Sequence, residues 1–113
     1  MTSLPLFRST SEVVSATTPD DPTYCIAPSR LTDNAVEFTR RFPGEVAYAI
    51  KCNSHPLVLK ALVEGGIGSF DVASVPEMVA ARAACSGASL HFMHPIKTSS
   101  AIAEAYSRFA VRS

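Results

Sequence analysis

The chain has 113 residues, 47% of them hydrophobic, with ten basic and ten acidic side chains and a formal net charge of zero. That is the composition of one soluble globular domain. The basic residues are scattered from Arg8 to Arg112, which gives no electrostatic footprint for nucleic acid, and no apolar stretch approaches membrane-spanning length.

The first residues carry no charged region followed by an apolar core, so a cytoplasmic protein is expected. Cys25, Cys52 and Cys85 are odd in number and widely spaced, without a CxxC or Cys/His pairing. They read as reduced thiols rather than a disulfide framework or a zinc site, and no metal is expected.

Residues 1–22 are rich in Ser, Thr, Pro and Asp with little periodicity and read as an irregular N-terminal arm. From Ser29 to Phe42, Leu31, Ala35, Phe38 and Phe42 fall at helical spacing, and Pro43-Gly44 stops the helix. The run Glu45 to Lys51 alternates as a strand, with Val46, Tyr48 and Ile50 on one face and Ala47, Ala49 and Lys51 on the other. Pro56 opens a second helix that Gly65-Gly66 ends, and a short strand follows around Ser69 to Ala73. Ser74-Val75-Pro76-Glu77 is a capping box starting an alanine-rich helix through Ala84. Leu90 to Met93 form a third strand, a further helix starts near Ser99, and Ala110-Val111 would begin a fourth strand.

Strands alternating with helices at intervals of roughly twenty residues predict a parallel sheet of βα units. No GxGxxG or Walker-type loop follows any strand, which weakens an open nucleotide-binding sheet and favours a (β/α)8 barrel. A complete barrel takes about 250 residues. The expectation is therefore α/β: residues 23–113 as the N-terminal portion of a TIM-type barrel, three to four βα units, incomplete.

Catalytic residues of such barrels come from the C-terminal ends of different strands. Lys51, Asp71 and His94 occupy those ends on three successive strands, bringing an amine, a carboxylate and an imidazole to one rim. The small Ala47 and Ala49 leave open space below the amine. Each residue also has a plain reading: Lys51 as a lysine snorkelling at a strand end, Asp71 and His94 as loop residues bonded to local backbone, and Glu77 as the capping-box partner of Ser74.

Three ordered motifs carry a resemblance. Tyr48-Ala49-Ile50-Lys51-Cys52-Asn53 resembles the pyridoxal-phosphate lysine motif of the ornithine/diaminopimelate/arginine decarboxylases, whose barrel is similar to that of alanine racemase. Phe70-Asp71-Val72-Ala73-Ser74 with Glu77 resembles the next motif, and Phe92-Met93-His94-Pro95-Ile96-Lys97 the third. The resemblance spans Pro22 to Ser113. It implies a pyridoxal 5′-phosphate enzyme in which Lys51 binds the cofactor covalently, Asp71 is the carboxylate beside that bond, Glu77 supports it from behind and His94 belongs to the cofactor site. It also implies that burial in the barrel mouth helps Lys51 shed its proton.

Cys52 after the lysine and the Ala73-Ser74-x-x-Glu77 spacing resemble the ornithine-type branch. The implied reaction is decarboxylation of a basic amino acid, ornithine to putrescine first, in a protein that is a homodimer when complete. A diaminopimelate decarboxylase, a racemase of the same barrel class, and a non-catalytic member acting by protein binding are the alternatives. The family's glycine-rich phosphate loop, the acidic partner of the pyridine nitrogen and the second half-site are expected beyond Ser113, so the 113-residue chain alone is expected to be inactive.

Overall fold

A three-stranded parallel sheet organises the computed structural model, which describes residues 3–113. Its strands are β1 (Ala47–Ala49), β2 (Ser69–Val72) and β3 (Ser89–Phe92), hydrogen-bonded in that order. Tyr48 is in register with Phe70 and Phe70 with Leu90, while Val72 matches Phe92. Two helices precede the sheet, α1 (Thr10–Thr17) and α2 (Pro28–Arg41). The crossovers that parallel neighbours require are α3 (Pro56–Glu64) and α4 (Val75–Ala84), and α5 (Ser99–Phe109) follows β3. The chain is thus mixed α/β with a small parallel sheet, the architecture of part of a barrel domain.

Side-chain alternation divides the strands into two faces. Phe70, Val72, Leu90 and Phe92 face the helices and form the core with Ile50, Leu59 and Met78. Full burial of such a side chain contributes about 1.5–3 kcal/mol. The other face carries Ala47, Ser69 and Ser89 in one register row, then Ala49, Asp71 and His91 in the next, all outside the hydrophobic core. Ser69 is buried there and donates to the Glu45 carboxylate. Closed barrels fill this side with layers of branched apolar residues; small and polar side chains leave it unpacked.

Helix ends follow the local chemistry. Gly65 caps α3 where it meets α2, and a Cβ there would lie 2.5 Å from the Ala35 Cβ and 2.7 Å from the Thr32 carbonyl oxygen. Thr32 Oγ1 also donates to the Ala61 carbonyl at 2.9 Å, so α2 and α3 are joined closely at this point. Gly66 takes φ +99°, the left-handed region that favours glycine.

Three expectations are corrected. The arm over 1–22 is not wholly irregular: α1 forms because Ser9 accepts from the Glu12 N–H at 3.1 Å while Glu12 accepts from the N–H of Arg8, the residue before the cap, a variant of the capping box, although none of its residues is buried. Strand β1 is shorter than the alternation from Glu45 to Lys51 suggests, since Ile50–Cys52 turn into a single 3-10 turn. At Ala110 there is no strand, because Ala110 ends α5 at φ +55°, a conformation incompatible with extension. Past α5, Val111 joins the core and the Ser113 carbonyl accepts from the Phe92 N–H of β3 at 2.7 Å.

The result is extended. The radius of gyration is 16.5 Å, against about 13 Å for a compact domain of this length. The accessible surface is 8044 Å² for 12.0 kDa, against about 6,000 Å² for a folded monomer of that mass. No helix among the described residues is long and apolar enough to cross a membrane.

Candidate active site

Lys51 sits on a braced turn rather than at the end of the strand. Next to it Ile50 is fully buried and fixes the turn in the core, while Lys51 itself is exposed. The Tyr48 hydroxyl donates to the Asn53 carbonyl at 3.1 Å, spanning the turn from its two sides. Asn53 Oδ1 then accepts from the His55 N–H at 2.9 Å, and His55 Nδ1 accepts from the Leu57 N–H at 3.1 Å as the N-cap of α3. Burial pushes the Tyr48 phenol above its ordinary value of 10.0; the Cys52 thiol adds to this and the bond to Asn53 opposes it.

Asp71 is the third of four residues in β2, half-buried on the face away from the helices. The turn after it is fixed by Ser74 and Glu77. Ser74 Oγ accepts from the Glu77 N–H at 3.4 Å, and the Glu77 carboxylate accepts from the Ala73 N–H. A standard capping box reaches back to the N–H of the capping residue itself; here the carboxylate reaches one residue further and ties α4 to the end of β2. Two residues past β3, His94 is exposed with Nδ1 2.7 Å from the Ile96 carbonyl oxygen and 3.1 Å from the Ile96 nitrogen. One ring nitrogen serves one of these at a time, and either bond is local to the loop.

All four side chains line one cleft of about 90 Å³, with Ala73, Met93 and Pro95 completing it. Met93 lies on the Asp71 face by the same two-residue alternation that buries Phe92, a signal that attention to strand ends alone passes over. Among the described residues the ion pairs are Glu37 with Arg40 and Arg41, and Glu104 with Arg108, all on exposed helix surfaces. Lys51 and Asp71 share the cleft without an ion pair or a side-chain hydrogen bond in the described structure. A lysine so placed can reach a carbonyl group that enters the cleft, and the Asp71 carboxylate lines the same cleft. The enclosure expected for Lys51 is not present in this chain, because a single three-stranded sheet provides only one wall.

The model of the family described as pyridoxal-dependent decarboxylase, pyridoxal binding domain, matches residues 29–110, well over half of the chain. The chain belongs to this family. No curated protein and no solved structure gives a significant match. The cofactor of this pyridoxal-binding domain is pyridoxal phosphate. The cleft's side chains fit the aldehyde end of that group, offering a lysine without a salt-bridge or hydrogen-bond partner among the described residues and a carboxylate in the same cleft. Cofactor pockets run about 300–1,000 Å³, so about 90 Å³ is one part of such a pocket, and no glycine lines it to cradle a phosphate.

Proposed function

We propose that this pyridoxal-binding domain serves a decarboxylase of basic amino acids, with ornithine the first substrate, and that Lys51 and Asp71 are its central residues. The observation that carries the reading is the convergence on one cleft of a partner-free amine from the turn after β1 and a carboxylate from the neighbouring parallel strand β2, within a domain of this family. When bound, pyridoxal phosphate supplies the electron sink for the pair released as carbon dioxide departs.

The residues of the chain do the rest. Lys51 would hold the group through its amine nitrogen, at the aldehyde carbon, with the aldehyde oxygen leaving as water. Asp71, lining the same cleft, would stand as the carboxylate beside that nitrogen and would stabilise a proton held there. Glu77 fixes the backbone at Ala73 and so the direction in which Asp71 leaves the strand. His94 shapes the third side of the cleft from its loop.

Ornithine is favoured over diaminopimelate by Cys52 after the lysine and by the Ala73-Ser74-x-x-Glu77 spacing. The complete enzyme is read as a cytoplasmic homodimer acting in polyamine synthesis. Assaying the complete enzyme for carbon dioxide and diamine against ornithine, lysine, arginine and diaminopimelate, alongside alanine racemisation, tests the proposal. Carbon dioxide release from ornithine is expected; racemisation without carbon dioxide from any basic amino acid would overturn it.

A further inference from the structure

We infer that the Tyr48 hydroxyl is a positioning residue for Lys51, acting through the Asn53 carbonyl. This rests on the reading of Lys51 as the cofactor-binding amine. The Tyr48 ring is held edge-on against Phe70, with centroids 6.5 Å apart and planes at 89°, and Phe70 is fully buried. The ring is therefore an anchored platform. Its hydroxyl reaches past the end of β1 to the carbonyl at the far side of the 3-10 turn, at 3.1 Å.

Between the two bonded residues the chain bends only through Ala49 to Cys52, with Ile50 fixed in the core. Lys51 is thus held by its backbone from three directions while its side chain is left free. A half-buried tyrosine needs some partner for its hydroxyl, and a bond made merely for that purpose would have no effect on one lysine in particular. This acceptor closes the turn that displays Lys51. Without the bond the turn populates other geometries, and binding at Lys51 falls by the fraction of chains in the competent one.

The test uses the full chain with pyridoxal 5′-phosphate as the probe, trapped by borohydride and mapped by peptide mass spectrometry. Occupancy of Lys51 is read relative to Lys60 and Lys97 in the same sample. Tyr48→Phe keeps the ring and removes the donor. It is expected to lower the Lys51 ratio roughly two- to tenfold, the equivalent of one net hydrogen bond, with an unchanged circular dichroism spectrum. Phe109→Leu, a core change on α5 that leaves the Tyr48–Phe70 contact in place, is expected to lower the melting temperature and leave the Lys51 ratio near the parent value.

An unchanged ratio in Tyr48→Phe, an equal drop in Phe109→Leu, or a Tyr48→Phe chain that does not fold would each overturn the inference. Parent chain labelled on Lys60 or Lys97 in preference to Lys51 would instead overturn the reading of Lys51 itself, and the two failures are distinct.

Discussion

Glu77→Ala should destabilise the chain more than Ser74→Ala, although serine is the residue that caps α4. The Glu77 carboxylate accepts from the Ala73 N–H, whereas Ser74 Oγ is a long 3.4 Å from the Glu77 nitrogen. A hydrogen bond to a charged group contributes about 1.5–3 kcal/mol, and a carboxylate in the first turn of a helix adds about 0.3–1 kcal/mol. Glu77 is half-buried, so the lower part of each range applies and the loss is about 2 kcal/mol. Glu77→Gln keeps an acceptor without the charge and should lose about half of that, roughly 1 kcal/mol. Ser74→Ala belongs at the low end of N-cap losses, about 0.5 kcal/mol. For a chain of this size about 2 kcal/mol lowers the melting temperature by roughly 8–12 °C. Thermal and urea unfolding of the three variants at one protein concentration gives the order directly. Glu77→Ala within about 0.5 kcal/mol of the parent, or Ser74→Ala as the costlier change, would refute the assignment of the turn to the carboxylate. A Glu77→Gln chain of parental stability that no longer takes up pyridoxal phosphate would show that Glu77 acts on the cofactor instead.

In an enzyme carrying this domain, borohydride trapping should place the pyridoxyl group on Lys51, and peptide mapping to Lys60 or Lys97 would displace that assignment. Asp71→Asn, which removes charge without removing a side-chain hydrogen bond, should lower turnover at least about tenfold, some 1.4 kcal/mol, and leave the melting temperature near the parent's; unchanged kinetics would return Asp71 to an ordinary strand residue. Because the folded-state value of Tyr48 is raised above its unfolded one, its contribution to stability is complete below about pH 10 and is lost as pH rises through the folded value. Thermal midpoints above pH 10 should therefore fall more steeply in the parent than in Tyr48→Phe, and parallel curves would remove the linkage. With 8044 Å² exposed against about 6,000 Å² for a folded monomer of its mass, the chain by itself should associate in sedimentation, and a monomer with a sharp cooperative melt would count against the open-sheet reading.

Much of the fold was legible because its signals are local. Pro56 opening a helix, Ser74 capping α4 and Gly65-Gly66 closing α3 are each decided within one turn of chain. The same kind of signal marks Ser9-x-x-Glu12, yet the polar composition around it hid α1. What the sequence could not give depends on pairs distant along the chain or on geometry beyond alternation. Period two places Lys51 beside Ala47 and Ala49, but whether β1 continues to residue 51 is decided by the burial of Ile50 and the reach of Tyr48 to Asn53. Likewise an apolar Ala110-Val111 pair reads as a strand start until the left-handed turn at Ala110 removes it. The gathering of Lys51, Asp71, Glu77 and His94 at one cleft follows from parallel topology, which the strand-helix alternation encodes; the exposure of Lys51 does not, since enclosure depends on walls that three strands do not form.

The two faces of these strands answer to different demands. Phe70 and Val72 are fully buried against helices, and their neighbour Asp71 projects the opposite way into the cleft. Substitutions at alternate positions of β2 should therefore separate stability from chemistry one residue at a time. The same division explains why the open face tolerates Ala47, Ser69, Ser89 and Ala49, residues too small or too polar to build a core. A packed layer there would fill the space below Lys51 that a ligand requires. Tyr48 crosses this division, because its ring belongs to the helix-facing side and its hydroxyl reaches the turn that bears the amine. It is through that residue that packing on one face can set the position of a reactive group on the other.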